Sequence, residues 1–197
     1  MTMASVADAD EIVVVDGQSS DGTTEIARAL GARVVSAPRG RGAQLAMGTD
    51  LARGEWLLLL HADTSVGAGW REARLERHQA AYFRFHLDSD DPRARRLERL
   101  VAWRCRALAL PYGDQGLLIH RDLLKAVGGV RPLALMEDVD LVRRLGSRRL
   151  VGLDIAATTS AAKWQRDGWH RRTVRNLACL SLYFAGVPPR LIARLYE

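Results

Sequence analysis

The sequence predicts an α/β domain with a mostly parallel, Rossmann-like central sheet flanked by helices. Three observations predict it. Short apolar runs (Ile12–Val15, Val34–Val35 and Trp56–Leu60) are each bounded by turn residues, the pattern of strands buried on both faces. Helical stretches separate them, and a strand–helix–strand order implies right-handed crossovers and parallel pairing. Finally, a chain of 197 residues, 48% hydrophobic and 26% charged, can hide about 70% of its unfolded surface in one core. That composition excludes a disordered chain, a collagen-like repeat and a disulfide scaffold.

Element by element, Ile12–Val15 ends at Asp16-Gly17. Asp21 then stands where it can cap a helix through Glu25–Leu30 that stops at Gly31. After the Val34–Val35 strand, Pro38–Gly42 reads as a loop, Ala43–Arg53 as a helix stopped by Gly54, and Trp56–Leu60 as a strand entering His61-Ala62-Asp63-Thr64. Tyr82–Leu87 is the next strand. Pro92 opens an arginine-rich helix to about Leu110, with Leu97, Val101, Cys105 and Leu108 on one apolar face. Gly116–Ile119 is a strand, Arg121–Val127 a helix ended by Gly128-Gly129, and Glu137–Leu145 a helix start or its lead-in. Thr173–Ala185 is helical, with a last turn after Pro188-Pro189. No repeat or linker divides the chain, so one domain over 1–197 is expected. Within it three stretches are distinguished: 1–110, 111–165 and a helical tail over 166–197.

The net charge is +6, and Lys125 and Lys163 are the only lysines among 29 basic residues, so the rest are arginine. A solvated basic surface accounts for this, with anionic substrates or lipid headgroups next. Nucleic acid is not expected, because no aromatic-interleaved basic stretch or zinc-finger spacing appears. Cys105 and Cys179 lack metal-ligand spacing and read as buried apolar residues of a reducing compartment. Met1–Asp10 is polar and acidic without an apolar stretch, so no signal peptide is expected and the expected location is the cytoplasm.

Three clusters offer chemistry. In open parallel sheets ligands bind beyond the carboxyl ends of strands, where Asp16, Gly17, Ser19, Asp21, Gly22 and Thr23 lie. Asp21 and Thr23 equally suit a cap. Asp63 follows a buried strand, where a carboxylate suits a hard divalent cation (Mg²⁺ or Mn²⁺) that bridges to a diphosphate. His61 is a second ligand or a strand-end histidine satisfied by backbone. Glu137 and Asp138 are adjacent carboxylates after an apolar run, offering a general base whose pKa burial can raise. Asp140 reads as a solvent-facing helix residue that pairs with Arg143 or Arg144.

Together these segments resemble a known family. Ile12–Thr23 resembles the signature of family 2 glycosyltransferases, nucleotide-sugar enzymes with a GT-A fold; Leu60–Thr64 sits at their DxD metal motif and Glu137-Asp138 at their catalytic acidic pair. Gly113-Asp114-Gln115-Gly116 and Lys163-Trp164 resemble a narrower bacterial subgroup, of the arsenosugar-biosynthesis type. The resemblance implies a metal-dependent, inverting transfer from a nucleotide-diphosphate sugar, expected to be UDP-linked. It implies that Asp16 holds the uracil-ribose end, with Gly17, Ser19, Asp21 and Arg39 in the same donor site. Asp63, joined by His61, binds the metal on the diphosphate. Asp138 is the acceptor's base, with Glu137 beside it. Asp114, Gln115 and Trp164 contact the acceptor, Trp164 being equally readable as core. The resemblance makes 1–110 the nucleotide-sugar-binding half and 111–165 the acceptor and catalytic half, and the expected acceptor is a small molecule or lipid-linked.

Three departures from the family pattern carry expectations. His61 replaces the first Asp of DxD, and Gly17 the second acid of Asp-Asp-Gly-Ser. Only Met1–Asp10 stands where the family has its first strand, turn and helix. A missing first strand, unpaired backbone edges and weak nucleotide binding are therefore expected. The apolar run Leu177–Val187 is too short to span a bilayer. It reads as a helix docked on the sheet or one lying on a membrane surface behind His170–Arg175. A nucleotidyltransferase is the rival enzyme, with Arg39-Gly40-Arg41-Gly42 as its faint glycine-rich loop. A truncated, non-catalytic relative is the non-enzymatic alternative.

Overall fold

A computed structural model describes residues 2–196; Met1 and Glu197, the ends of the expected 1–197 domain, lie outside the described residues. After a 3₁₀ turn at Met3–Val6, the chain runs β1 (Val13–Asp16), α1 (Thr23–Ala29), β2 (Arg33–Ser36), α2 (Arg41–Leu51) and β3 (Trp56–Leu59). The expected strand–helix alternation of the first half is present in that order. β4 (Thr64–Val66), β5 (Ala80–Asp88) and α3 (Pro92–Leu108) follow, then β6 (Leu117–His120), α4 (Arg121–Ala126) and α5 (Glu137–Leu145). β7 (Leu150–Ser160), α6 (Ala162–Asp167), α7 (Trp169–Phe184) and α8 (Pro189–Tyr196) complete the fold.

The strands form a two-stranded sheet β1-β2 and a five-stranded sheet in the order β3-β6-β5-β7-β4. β1–β2 and β5–β7 pair in parallel, as expected, whereas β3–β6, β5–β6 and β4–β7 are antiparallel. The sheet is thus mixed rather than mostly parallel. Two of the three antiparallel pairs belong to β6, which runs opposite to both β3 and β5; the third joins β4 to β7, an eleven-residue strand whose Gly, Ala, Thr and Asp content gives no clean alternation. It pairs β5 on one side and β4 on the other. The carbonyl of Val15 in β1 accepts from the Gln44 side chain of α2 at 2.8 Å, so a side chain serves this strand where the second sheet does not.

Core residues divide by strand alternation. Leu57, Ala80 and Ile119 pack with Leu123, Leu124, Leu141 and Leu145 of α4 and α5. Ala81, Phe83, Leu118 and Ala157 pack with Val66 and Trp70. α3 is capped by Asp91, whose side chain accepts from Arg93 N at 2.8 Å, with Pro92 in its first turn. It lays Val101 and Cys105 on Phe85 and Leu87; Leu108, expected on that buried face, is exposed because the helix ends there. Cys105 and Cys179 are free and buried, in keeping with the sequence.

Asp140 corrects another expectation. It is buried, and its carboxylate accepts from Arg131 Nη1 at 3.1 Å and Arg144 Nε at 2.8 Å. The Arg144 partner was legible at helical spacing. The second partner, Arg131, comes from the loop before α5 and turns Asp140 inward.

Candidate active site

β3 delivers His61 and Asp63 to one end of the five-stranded sheet. The 3₁₀ turn Gly113–Gln115 and the start of α5 arrive beside them. An open cleft of about 820 Å³, solvent at its mouth included, is lined there by His61, Asp63, Asp114, Glu137, Asp138 and Trp164, together with Arg41 and Lys163. Six of the residues expected from sequence therefore meet in one place. A smaller apolar hollow next to it shares His61, Tyr112, Glu137 and Asp138.

Each polar group is held differently. Asp63 Oδ2 accepts from Lys163 Nζ at 2.7 Å. Burial raises the Asp63 pKa, but the Lys163 ammonium outweighs it and the net shift is downward. Among the described residues the Nε2 of His61 is buried without a hydrogen-bond partner, and burial pushes the imidazole pKa down, with Arg41 adding to it. His61 is thus neutral and offers an unused ring nitrogen; backbone does not satisfy that atom. Asp138 is fixed from both sides: Gly113 N–H donates to Oδ2 at 2.7 Å and Val139 N–H to Oδ1 at 2.7 Å. Gly113 is required here, because a Cβ on it would overlap His61 Nε2 and approach Asp138 Oδ2 to 3.3 Å.

Glu137 is 2% exposed. Burial, reinforced by Asp138, pushes its carboxyl up to about 7. The residue before it, Met136, takes a left-handed φ of 66°, a conformation costly for a side chain and characteristic of functional turns. Asp114 is pushed up to about 6 by burial, and its Oδ1 has no partner among the described residues.

The raised Glu137 carboxyl has a consequence for stability. Its pKa rises from 4.5 to about 7 on folding, so the folded chain binds more protons than the unfolded one between those values. Its stabilising contribution is complete below 4.5 and lost as pH rises through about 7. Glu137→Gln is expected to be more stable than the parent at about pH 8, by roughly 1–3 kcal/mol, and no more stable at the acid end. Urea denaturation at the two pH values measures this; equal gains at both would refute it.

The family model for glycosyl transferase family 2 matches residues 2–122, more than half of the chain. The chain belongs to glycosyl transferase family 2. Among solved structures, glucosyl-3-phosphoglycerate synthase from Mycobacterium tuberculosis, in complex with phosphoglyceric acid, superposes with a TM-score of 0.60 at 20% identity, over 95% of this chain and 76% of that one. The same synthase with Mn²⁺ and uridine-diphosphate-glucose gives 0.60 at 21% identity, over 95% and 75%. Mannosyl-3-phosphoglycerate synthase from Rubrobacter xylanophilus gives 0.57 at 19% identity, over 90% and 64%. At these identities the likeness is one of fold, the α/β GT-A fold. No curated protein matches significantly.

In this glycosyltransferase the remaining expected residues fall into two groups. Asp16, Gly17, Ser19, Asp21 and Arg39 gather at the end of β1, apart from the residues lining the cleft. Ser19 N donates to Asp16 Oδ2 at 3.0 Å, and Arg39 Nε to the Gly17 carbonyl at 3.1 Å. The N-cap of α1 is Gly22, with no side-chain cap, so Asp21 is not the expected cap; its Oδ1 accepts from Thr23 N at 3.2 Å in the turn just ahead of the helix. Gln115 is a correction. Its side chain is 2% exposed; Oε1 accepts from Tyr112 N at 3.2 Å and Nε2 donates to the Phe83 carbonyl at 3.0 Å. A buried amide bonded at both its oxygen and its nitrogen cannot reach an acceptor, so it positions the turn that carries Asp114. Trp164 is both core and wall: buried, stacked on Trp169 at 5.9 Å, and lining the cleft.

Sequence reasoning missed Arg41, the cation that faces His61, Asp63, Asp114 and Glu137. It stands in a stretch read as loop, but Arg41 and Gly42 are the first turn of α2. That placement also removes the glycine-rich loop of the rival reading. It missed, too, the wall supplied by Arg172, Asn176 and Tyr196, which had no local signal. Among the described residues, no helix is long and apolar enough to cross a membrane. Cys179 and Ile192 dock α7 and α8 on Leu135 of the loop before α5, so the tail docks on that loop rather than on the sheet as expected.

Proposed function

We propose that this glycosyltransferase moves a sugar from a UDP-linked donor to an acceptor hydroxyl by a single inverting displacement. The observation that carries the reading is the cleft itself. Within a family 2 domain, Glu137 and Asp138 open onto the same space as Asp63, His61, Lys163 and Arg41. Asp138, held by two backbone amides, takes the acceptor's proton while the acceptor oxygen bonds to the sugar carbon and the bond to the diphosphate breaks. Glu137 lies beside it. Arg41 and Lys163 meet the negative charge that grows on the leaving diphosphate. Asp16, Ser19 and Arg39 at the end of β1 hold the nucleoside end, and Asp114 and Trp164 face the acceptor.

A divalent cation, Mn²⁺ or Mg²⁺, fits this residue set. Among the described residues no group of three His, Cys, Asp or Glu is arranged to hold a metal by itself. A hard cation that relies on one or two protein ligands and the substrate's phosphates needs no such group. Asp63 and the unpartnered Nε2 of His61 would hold it. When bound, it would stabilise the departing diphosphate. The solved relatives crystallised with Mn²⁺ and UDP-glucose support this donor chemistry, and the Gly113–Gly116 and Lys163-Trp164 segments support the narrower bacterial subgroup. The domain reads as a donor-binding half to about residue 110, an acceptor and catalytic half over 111–165 and a tail.

Calorimetric titration of UDP, with and without Mn²⁺, tests the reading. Binding is expected to depend on Mn²⁺ and to be reduced at least tenfold (about 1.4 kcal/mol) by Asp63→Ala. Metal-independent binding, or binding that Asp63→Ala leaves intact, overturns the metal assignment. Release of pyrophosphate rather than UDP on turnover would point to nucleotidyl transfer, and donor binding without turnover to a non-catalytic relative.

A further inference from the structure

The cleft that holds the carboxylates is also lined by Arg172 and Asn176 of α7 and Tyr196 of α8. Arg172 and Asn176 are four residues apart and share one helix face. Arg172 is 7% exposed. Its Nη1 donates to Asp167 Oδ2 at 2.8 Å and its Nη2 to the Tyr196 hydroxyl at 3.2 Å. Arg172 Nε and Asn176 Oδ1 are buried and have no partner among the described residues. Buried polar atoms are seldom left so, because each lost hydrogen bond is costly.

Charge points the same way. Among the described residues, Asp167 is the single carboxylate for Arg166 at 2.8 Å, Arg172 at 2.8 Å and Arg175 at 3.0 Å. One negative charge among three guanidinium groups leaves an excess of positive charge behind this wall. The Trp164 ring lies 5.3 Å from the Arg172 guanidinium and gives the corner one apolar side. The cleft therefore has two chemistries: carboxylates suited to a hydroxyl, and an under-neutralised arginine suited to an anion.

We propose that Arg172 and Asn176 form a subsite for an acidic group on the acceptor, a carboxylate or a phosphate, whose hydroxyl reaches the Glu137–Asp138 pair in the same cleft. This rests on the glycosyl-transfer reading. Arg172 presents its free Nε–H to the anion. Asn176 accepts from a neighbouring ligand hydroxyl or, with its amide turned over, donates to the anion. The acceptor would then be a small hydroxy acid or phosphorylated polyol rather than a neutral sugar.

The test is calorimetric titration of the full chain with glycerol phosphate, with glycerol as the neutral control. It is run with and without UDP and Mn²⁺, so that occupancy of a diphosphate site is told apart. Glycerol phosphate is expected to bind and glycerol not. Asn176→Ala and Arg172→Lys should each weaken glycerol phosphate at least about tenfold and leave UDP affinity unchanged. Arg172 is buried, so Asn176→Ala keeps the test decisive should Arg172→Lys fail to fold. The inference is overturned if the parent chain ignores glycerol phosphate, if Asn176→Ala binds it as tightly as the parent, or if UDP displaces it. If UDP fails to bind while glycerol phosphate still depends on Asn176, the donor reading falls and the anion subsite stands.

Discussion

Asp138→Asn is expected to lower kcat roughly 100- to 10,000-fold, the range for loss of a positioned general base, while UDP affinity stays unchanged. The argument is geometric. Gly113 N–H and Val139 N–H hold the two oxygens of Asp138 at 2.7 Å each, which fixes the carboxylate at the cleft without a counter-ion. Asparagine keeps the shape and one acceptor but cannot take a proton. Rates with a donor sugar and a competent acceptor, measured beside UDP titrations, separate loss of chemistry from loss of binding. Glu137 gives the internal comparison. Its carboxyl, pushed up to about 7, is protonated over much of the neutral range, so Glu137→Gln should cost less and should alter the pH profile near 7. A large loss in Glu137→Gln with near-normal rates in Asp138→Asn would transfer the base to Glu137.

Gly42→Ala is expected to destabilise the protein by roughly 3 kcal/mol, the upper part of the range for overpacking. For a domain of this size that lowers Tm by roughly 6–12 °C. A Cβ at position 42 would lie 2.5 Å from both the nitrogen and the carbonyl oxygen of Leu133, and 2.8 Å from the Arg131 carbonyl. These are backbone atoms, which cannot rotate aside as a side chain can. α2 or the loop before α5 must move, and that loop supplies the Arg131 partner of Asp140. Because Arg41 precedes Gly42, the shift should weaken donor binding too. Gly48→Ala is the control: its Cβ would meet only the Val15 Cγ2 at 3.3 Å, and alanine suits a helix better than glycine. Equal melting temperatures for Gly42→Ala and the parent would show that the close approach does not constrain the fold.

Gly42 also shows how far sequence reading reaches. The Arg39–Gly42 segment looked like a glycine-rich loop, because two glycines near arginines suggest a phosphate cradle. Gly40 does have a positive φ of 143°, but Gly42 is a helical residue made small by a partner some ninety positions away in the chain. No local pattern encodes that. Gln115 shows the same effect: beside Asp114 in sequence, it turned inward because Phe83, Tyr112 and Arg104 offered its amide hydrogen bonds at both ends.

By itself the sequence determined the α/β alternation of the first half, most element positions, and which chemically able residues stand at strand and helix ends. Strand burial, helix periodicity and caps are written within a few residues of the groups they control, so they are legible locally. Family membership was legible for the same reason, in short motifs in a set order. Tertiary structure alone decided the mixed sheet, since the pairings of β6 and β7 depend on strands distant in the chain. It also decided the inward turn of Asp140, the raised Glu137 carboxyl and the placing of Arg41 and Arg172 in one cleft. Electrostatics and close packing depend on what arrives from elsewhere in the chain, and burial is a property of the assembled fold.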